Sequence, residues 1–145
     1  MSTLTTTSAD GNKANYRRFI EEIWNRGNFD LIDLLITDDY IAHDPASPNI
    51  GRGLESLIQR ANPYRKAFPD LHITIEEIIA EDDKVVTRWS SSGTHQGDFH
   101  GIPPSGKLVT SSGINISRFA KGKIVEEWTN WDIMGLIKQL GGISQ

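Results

Sequence analysis

The chain has 145 residues, 37% of them hydrophobic and 23% charged, which is the size and composition of one soluble globular domain. Its formal net charge of −4 offers no basic surface, so neither nucleic acid nor a membrane is expected as a partner. The chain contains no cysteine, which excludes disulfides and thiolate catalysis and favours a cytoplasmic location.

The first part of the chain shows helical spacing. Residues 1–10 are rich in Ser and Thr and lack the basic start and apolar core of a secretory signal, so they are expected to form a flexible tail of a single domain, 1–145. Asp10 is the expected N-cap of a first helix that ends at Gly27, and Asn28 that of a short second helix. The apolar positions of the first helix are Tyr16, Phe19, Ile20, Ile23 and Trp24.

The stretch "YIAHDPASP", residues 40–48, predicts a short extended segment, since its two prolines cannot continue a helix or a central strand. A third helix is predicted from Leu54 to about Phe68, with Leu57, Ile58, Ala61 and Tyr64 on one side. Pro63 is expected to bend or shorten this helix.

The second half of the chain changes to the two-residue period of strands. Four long strands are predicted near 70–80, 84–95, 107–119 and 123–132, joined mainly by hairpin turns, and a last helical turn follows in "IMGLIKQLGG". Helices followed by strands predict an α+β fold, with a curved antiparallel sheet wrapped around the N-terminal helices.

The last strand places Trp128, Asn130 and Asp132 on one face by alternation. If that face lines a cavity, burial would raise the pKa of the Asp132 carboxyl and make it an acid/base group. Alternatively, Asp132 caps the helix that begins near Ile133. On periodicity alone, helix capping is slightly favoured over acid/base catalysis as the role of Asp132.

The remaining motifs bear on catalysis. His95 has the same parity as Trp89 and is a candidate proton shuttle near neutral pH, whereas His43 precedes Asp44 and Pro45 in "AHDP". The sequence has no HExxH pair, no G-x-S-x-G elbow and no glycine-rich phosphate loop. Neither a metal nor any other cofactor is therefore expected.

Three segments, "FIEEIWNRGNFDLIDLLITDDYIAHDP", "FPDLHITIEEIIAEDDKVVTRWSSSGTHQGDFHGIPPSGK" and "GINISRFAKGKIVEEWTNWDIMGLIKQLG", resemble the SnoaL-like polyketide cyclase (ester cyclase) family in order and spacing. The resemblance covers residues from about 12 to 141. It implies the cone-shaped fold of the nuclear transport factor 2-like (cystatin-like) superfamily, with a deep pocket between the sheet and the helices.

The resemblance also implies a reaction. Family members close a ring of an aromatic polyketide by an intramolecular aldol condensation without metal or nucleotide, as in antibiotic biosynthesis and other secondary metabolism. Their catalytic aspartate lies in a W-x-x-x-D stretch that Trp128 to Asp132 match here. Relatives pair it with a histidine on a neighbouring strand; "INISRF" has none, so His95 is taken as its substitute. The expected substrate-binding residues are Trp89, Trp128, Asn130, His43 and Phe19.

Two other functions remain open at this stage. The same groups could open an epoxide to give a cyclic ether or a diol, or the pocket could only bind a hydrophobic small molecule. Cone-shaped relatives often pair through the open face of the sheet, so the resemblance implies a homodimer.

Overall fold

Residues 8–142 of the computed structural model are described, and they form four α-helices and a five-stranded sheet. The helices are α1 (Ala9–Phe19), α2 (Ile32–Leu35), α3 (Leu54–Ala67) and α4 (Ile133–Gln139), with a π-helix at Ile20–Asn25 and a 3-10 turn at Phe29–Leu31. The strands are β1 (Ile36–His43), β2 (His72–Glu81), β3 (Lys84–Thr94), β4 (Leu108–Ala120) and β5 (Lys123–Trp131).

The start of α1 differs from the sequence prediction. The N-cap is Ser8, whose Oγ accepts a hydrogen bond from Gly11 N at 2.9 Å, and Asp10 lies inside the first turn, where a carboxylate suits the helix dipole. Residues 8–10 of the predicted tail therefore belong to the start of α1, and residues 1–7 lie outside the described part. Pro63 lies inside α3, which continues to Ala67.

The predicted α+β fold with a single curved sheet is confirmed, with one addition. The strand order is β1-β5-β4-β3-β2, and β2 to β5 pair antiparallel as expected, forming a curled, unclosed sheet. The extended segment "YIAH" belongs to a true strand, β1, which pairs parallel with β5. Because α3 separates β1 from the rest of the sheet along the chain, no hairpin forces β1 to run antiparallel.

A β-bulge interrupts the pairing of β4 with β5. Phe119 pairs with Ile124, but its neighbour Arg118 pairs with Glu126, which leaves Val125 as an extra residue on β5. Ile124 and Glu127 are consequently both buried. Beyond the bulge the inward positions of β5 are Glu127, Thr129 and Trp131, whereas plain alternation from Ile124 predicts the opposite set.

The helices cover the concave face of the sheet and bury the main core there. α1 packs on β2, β3 and β5, and its tyrosine and phenylalanine, Tyr16 and Phe19, are almost fully buried. A second core cluster joins α4 to the end of α3 through Phe68, Phe99 and Leu136. No helix in residues 8–142 is long and apolar enough to span a membrane.

Candidate active site

A cavity lies between the helices and the concave face of the sheet. Its volume is about 90 Å³, several times what one buried water requires. Large aromatic side chains form much of its wall: Phe19, Trp24, Tyr64, Phe68, Trp89 and Trp131. A wall of this kind suits a flat, mainly apolar ligand.

Three charged side chains, Asp44, Arg60 and Glu127, share the wall with these aromatic groups. All three are buried, with 8%, 5% and 1% of their surfaces exposed. Asp44 continues the inward parity of Tyr40 and Ala42 just beyond β1, and Arg60 lies one turn before Tyr64 on α3. Buried charges are stable only when they are paired and hydrogen-bonded, so their partners determine their chemistry.

Arg60 is placed between the two carboxylates. Its Nε donates to Asp44 Oδ2 at 3.4 Å, its Nη1 lies 4.0 Å from Glu127 Oε2, and its guanidinium lies over the Trp24 ring at 5.4 Å. Burial lowers the pKa of Arg60, but the neighbouring Tyr40, Glu127 and Asp44 outweigh it and raise this pKa above its ordinary value. Arg60 is therefore a permanent cation facing the cavity, and its Nη2 makes no hydrogen bond within residues 8–142.

Glu127 is surrounded by donors. Its Oε1 accepts from Asn115 Nδ2 at 3.1 Å and from Ser117 Oγ at 2.9 Å, and its Oε2 accepts from the Tyr40 hydroxyl. Tyr40 in turn accepts from Arg60 Nη1 at 3.1 Å. With donors on both oxygens, Glu127 holds the network together and has little capacity left for a substrate proton.

Asp44 has spare acceptor capacity. Its Oδ1 accepts from Ala46 N at 2.9 Å and from Trp131 Nε1 at 3.2 Å, which fixes the orientation of the carboxylate. Its Oδ2 has only the long contact with Arg60 within residues 8–142. Of the two buried carboxylates, Asp44 is the better placed to take a proton from a ligand.

Asp132 lies outside this cavity. It is exposed and caps α4, where its Oδ1 accepts a hydrogen bond from Gly135 N at 2.9 Å. The expected placement of Asp132 inside the main cavity is thus wrong, and its position is the one that the capping alternative predicted.

Three other expected site residues lie on the face of the sheet that is turned away from the cavity: Trp128, Asn130 and His43. Asn130 is exposed, and His43 stacks on Trp128 with ring centroids 5.5 Å apart, while its Nε2 lies 2.7 Å from Glu126 Oε2. The predicted row of Trp128, Asn130 and Asp132 on the cavity wall is wrong because the bulge at Val125 reverses which residues of β5 face inward.

His95 is fully buried but does not line the cavity. Its Nδ1 accepts from Ser105 N at 3.2 Å and lies 3.0 Å from Ser105 Oγ, and its ring packs on Phe68. It therefore tethers the loop before β4, and within residues 8–142 it makes no hydrogen bond with Asp132 or Asp44. Of the expected substrate-binding residues, Trp89 and Phe19 do lie on the wall.

Sequence reasoning missed Asp44, Arg60 and Glu127. Arg60 carried a signal, because it lies on the apolar side of α3 three residues after Leu57 and four before Tyr64. A cation in the middle of an apolar helix face requires a buried anion. The inward position of Glu127 had no such signal, since it depends on the bulge.

Comparison with known proteins gives one family. The model of the SnoaL-like polyketide cyclases matches residues 14–140. The chain is 29% identical over 131 residues to aklanonic acid methyl ester cyclase AcmA of Streptomyces galilaeus, covering 88% of this chain and 89% of that protein. It is 26% identical over 121 residues to nogalonic acid methyl ester cyclase of Streptomyces nogalater, covering 81% of this chain and 89% of that one.

The fold is shared with solved structures. A protein of Acidithiobacillus ferrooxidans, to which a polyketide cyclase activity is ascribed, superimposes with a TM-score of 0.84 at 30% identity. The match covers 99% of this chain and 100% of that one.

Proposed function

The chain belongs to the SnoaL-like polyketide cyclase family, and on that basis we propose that it closes a ring in a polyketide-like aromatic molecule by an intramolecular aldol-type reaction. The observation that carries this proposal is the pairing of a buried cation, Arg60, with a carboxylate of spare capacity, Asp44, on the wall of an aromatic cavity. An aldol closure requires a base for a carbon acid and positive charge beside the resulting enolate.

In the proposed mechanism Asp44 Oδ2 removes a proton from a carbon flanked by carbonyl groups. Arg60 stabilises the enolate oxygen through its unengaged Nη2, because a fixed charge in a water-poor cavity acts strongly on developing negative charge. The enolate carbon attacks a second carbonyl of the same molecule, and the protonated Asp44 returns its proton to the new alkoxide. No proton is gained or lost overall.

The aromatic wall would supply the remaining contribution. Trp89, Trp131 and Tyr64 form a continuous surface, with Tyr64 meeting Trp131 edge-on at 5.7 Å and Trp89 at 6.4 Å from Trp131. A polycyclic substrate held against this surface has its two reacting carbons close together, which is the main advantage of an intramolecular reaction.

We propose that the reaction runs in the cytoplasm without a metal or cofactor. Both oxygens of Glu127 and one oxygen of Asp44 are engaged by protein donors, and within residues 8–142 no three His, Asp or Glu side chains are grouped as a metal site. Turnover should therefore be unchanged after prolonged chelation, whereas loss of activity with recovery on adding back one metal ion would contradict it.

The test of the function uses the methyl esters of aklanonic acid and nogalonic acid, which the names of the two relatives specify. Purified protein is mixed with each ester, and the ring-closed product is separated and its mass compared with that of the substrate. An aldol product is an isomer of the substrate, so an unchanged mass with new retention is expected for at least one ester. Binding without conversion of either would favour a small-molecule binding protein. The epoxide-opening alternative needs its own substrate, an aromatic epoxide, whose hydrolysis to a diol would increase the mass by one water.

We also propose that the protein is a homodimer paired through the convex face of the sheet. Five side chains of successive strands form one row across that face, called here the outer stripe: Ile79, Val86, Ile116, Trp128 and His43. Ile79 remains 63% exposed. The neighbouring charges are already paired, Arg88 with Glu77 at 2.6 Å and Arg118 with Glu126 at 3.1 Å, so a second copy can cover the stripe without like-charge repulsion.

A further inference from the structure

Gly113 occupies the middle of a cross-strand row on the concave face. It pairs with Trp89 on one side and with Trp131 on the other, so the two tryptophans flank a residue without a side chain. The φ angle of Gly113 is not among the positive ones of the chain, so the backbone conformation does not require glycine. Glycine is required at this position because a side chain would collide with its neighbours.

The position that a Cβ atom would take is already crowded by Trp89 and Trp131. A Cβ atom on residue 113 would lie 2.6 Å from Trp131 Cβ, 2.6 Å from Trp89 Cζ2 and 2.9 Å from the carbonyl oxygen of Asn130. All three distances are well below van der Waals contact, and the carbonyl oxygen and Trp131 Cβ cannot move by a side-chain rotation alone. Even alanine must therefore displace the end of β5 as well as the indole of Trp89.

The groups that alanine would displace are connected by direct contacts to the ion pair of Asp44 and Arg60. Trp89 reaches across β4 to Trp131, with ring centroids 6.4 Å apart, and Trp131 Nε1 donates to Asp44 Oδ1 at 3.2 Å. Asp44 is in turn the partner of Arg60. A shift of the Trp131 ring would therefore alter one of the two hydrogen bonds that orient the Asp44 carboxylate.

We propose that Gly113 is a positioning residue, which holds Trp131 against Asp44 by leaving the middle of the row to the two tryptophans. It touches no substrate atom and acts through the two indoles. Its effect on turnover rests on the function proposed above, but its effect on the indole pair does not.

The first experiment therefore needs no substrate. The electronic transitions of two indoles at this separation couple and give a couplet in the circular dichroism spectrum. The couplet is assigned to this pair if W89F and W131F each abolish it. G113A is expected to lose or invert the couplet, while S112A, one residue away and facing the other side of the sheet, retains it. A wild-type couplet in a folded G113A would overturn the proposal.

The second experiment measures kcat and KM for the ester that the wild type converts. G113A should lower kcat by about ten- to a hundredfold, the cost of a displaced catalytic group. W131F removes the N–H donor to Asp44, so the double variant G113A/W131F should be no slower than W131F alone. If kcat of the double variant falls by the product of the factors found for G113A and for W131F, Gly113 does not act through Trp131. If the wild type converts neither ester, the proposed function fails while the couplet still decides the role of Gly113.

G113A could unfold instead of adjusting. In that case the double variant G113A/W89A removes the indole that the new methyl group meets, although the contacts with Trp131 Cβ and the carbonyl oxygen of Asn130 remain. The alanine should therefore lower the melting temperature less in the W89A chain than in the wild-type chain. An equal loss in both chains would show that the packing of Trp89 over Gly113 is not what the glycine serves, and the proposal would be wrong.

Discussion

Arg60 Nε lies 3.4 Å from Asp44 Oδ2, and each of the two side chains is only 5% exposed. This ion pair joins α3 to the residue that follows β1 and lies on the wall of an aromatic cavity. Both groups are buried, so removing one leaves the other without its counter-charge, with consequences for both stability and chemistry.

The role of Asp44 is tested by Asp44→Asn, which keeps the shape and removes the base. If Asp44 is the acid/base group, kcat for the converted ester should fall by about two to four orders of magnitude. Substrate affinity should change little, because the amide fills the same space. Steady-state kinetics with a melting curve for each variant provide the measurement.

Asp132→Asn is the matched control for this substitution. Asn caps a helix nearly as well as Asp, so both the melting temperature and kcat should stay close to wild type. The opposite result, an inactive Asp132→Asn beside an active Asp44→Asn, would return the acid/base role to Asp132.

Arg60→Met is expected to destabilise the protein strongly. The variant leaves the buried carboxylates of Asp44 and Glu127 without their cation, and removing one partner of a buried ion pair costs about 3–5 kcal/mol. Arg118→Met removes a partly exposed pair with Glu126 and should cost at most about 1 kcal/mol. Urea unfolding of both variants gives the free energies; equal losses would show that the buried pair has no special weight.

The raised pKa values of the tyrosines predict how the protein titrates at alkaline pH. Burial raises the pKa of Tyr16 and of Tyr40 well above the ordinary value, with Glu127 adding to it, and burial and Asp44 raise that of Tyr64 to about 12. These are all three tyrosines of the chain. The folded protein should thus show almost no tyrosinate absorbance at a pH of about 10, where the chain unfolded in guanidinium chloride titrates.

The same shifts set the sign of the pH dependence of stability. Above a pH of about 10 the unfolded chain loses tyrosine protons that the folded chain keeps, so the free energy of unfolding falls as pH rises. Tyrosinate should then appear together with the loss of circular dichroism. Tyrosinate that forms at the ordinary pH in a chain that remains folded would contradict the burial of these hydroxyls.

Dimerisation is tested with a charge placed within the outer stripe. Val86→Glu places a charge where a second copy would bury it, so the mass measured by light scattering should fall from that of a dimer to that of a monomer. Leu108→Glu is the control, since Leu108 is 71% exposed but lies off the stripe, and it should leave the mass unchanged. A wild-type chain that is monomeric at high concentration would refute the pairing.

Most of the fold was predictable because its signals are local. The four strands from β2 to β5 have a two-residue period, and the tight turn between β4 and β5 is marked by Lys121 and Gly122, both with positive φ. The parallel pairing of β1 was not predictable in the same way. It joins segments about ninety residues apart, and no short-range pattern specifies the direction of such a pair.

The site was predicted less well than the fold, for a physical reason. Trp89 and Phe19 lie on regular elements, and their periodicity placed them on the wall. Asp132 and Trp128 were assigned by counting along β5 from Ile124, and a single extra residue invalidates such a count. Asp44 depends on contacts with α3 and β5, which are distant in the sequence.

The extra residue at Val125 also determines where β5 tolerates a change of length. Deleting Val125 would leave Ile124, Glu127 and Thr129 facing inward, because the residues that remain alternate regularly from Ile124. Deleting a residue beyond the bulge, such as Trp128, would instead bring Asn130 to the cavity side and turn Thr129 towards the proposed partner. The loss of one codon is thus neutral for the orientation of β5 at one position and turns the end of the strand inside out a few positions later, an outcome that no single substitution along it can reach.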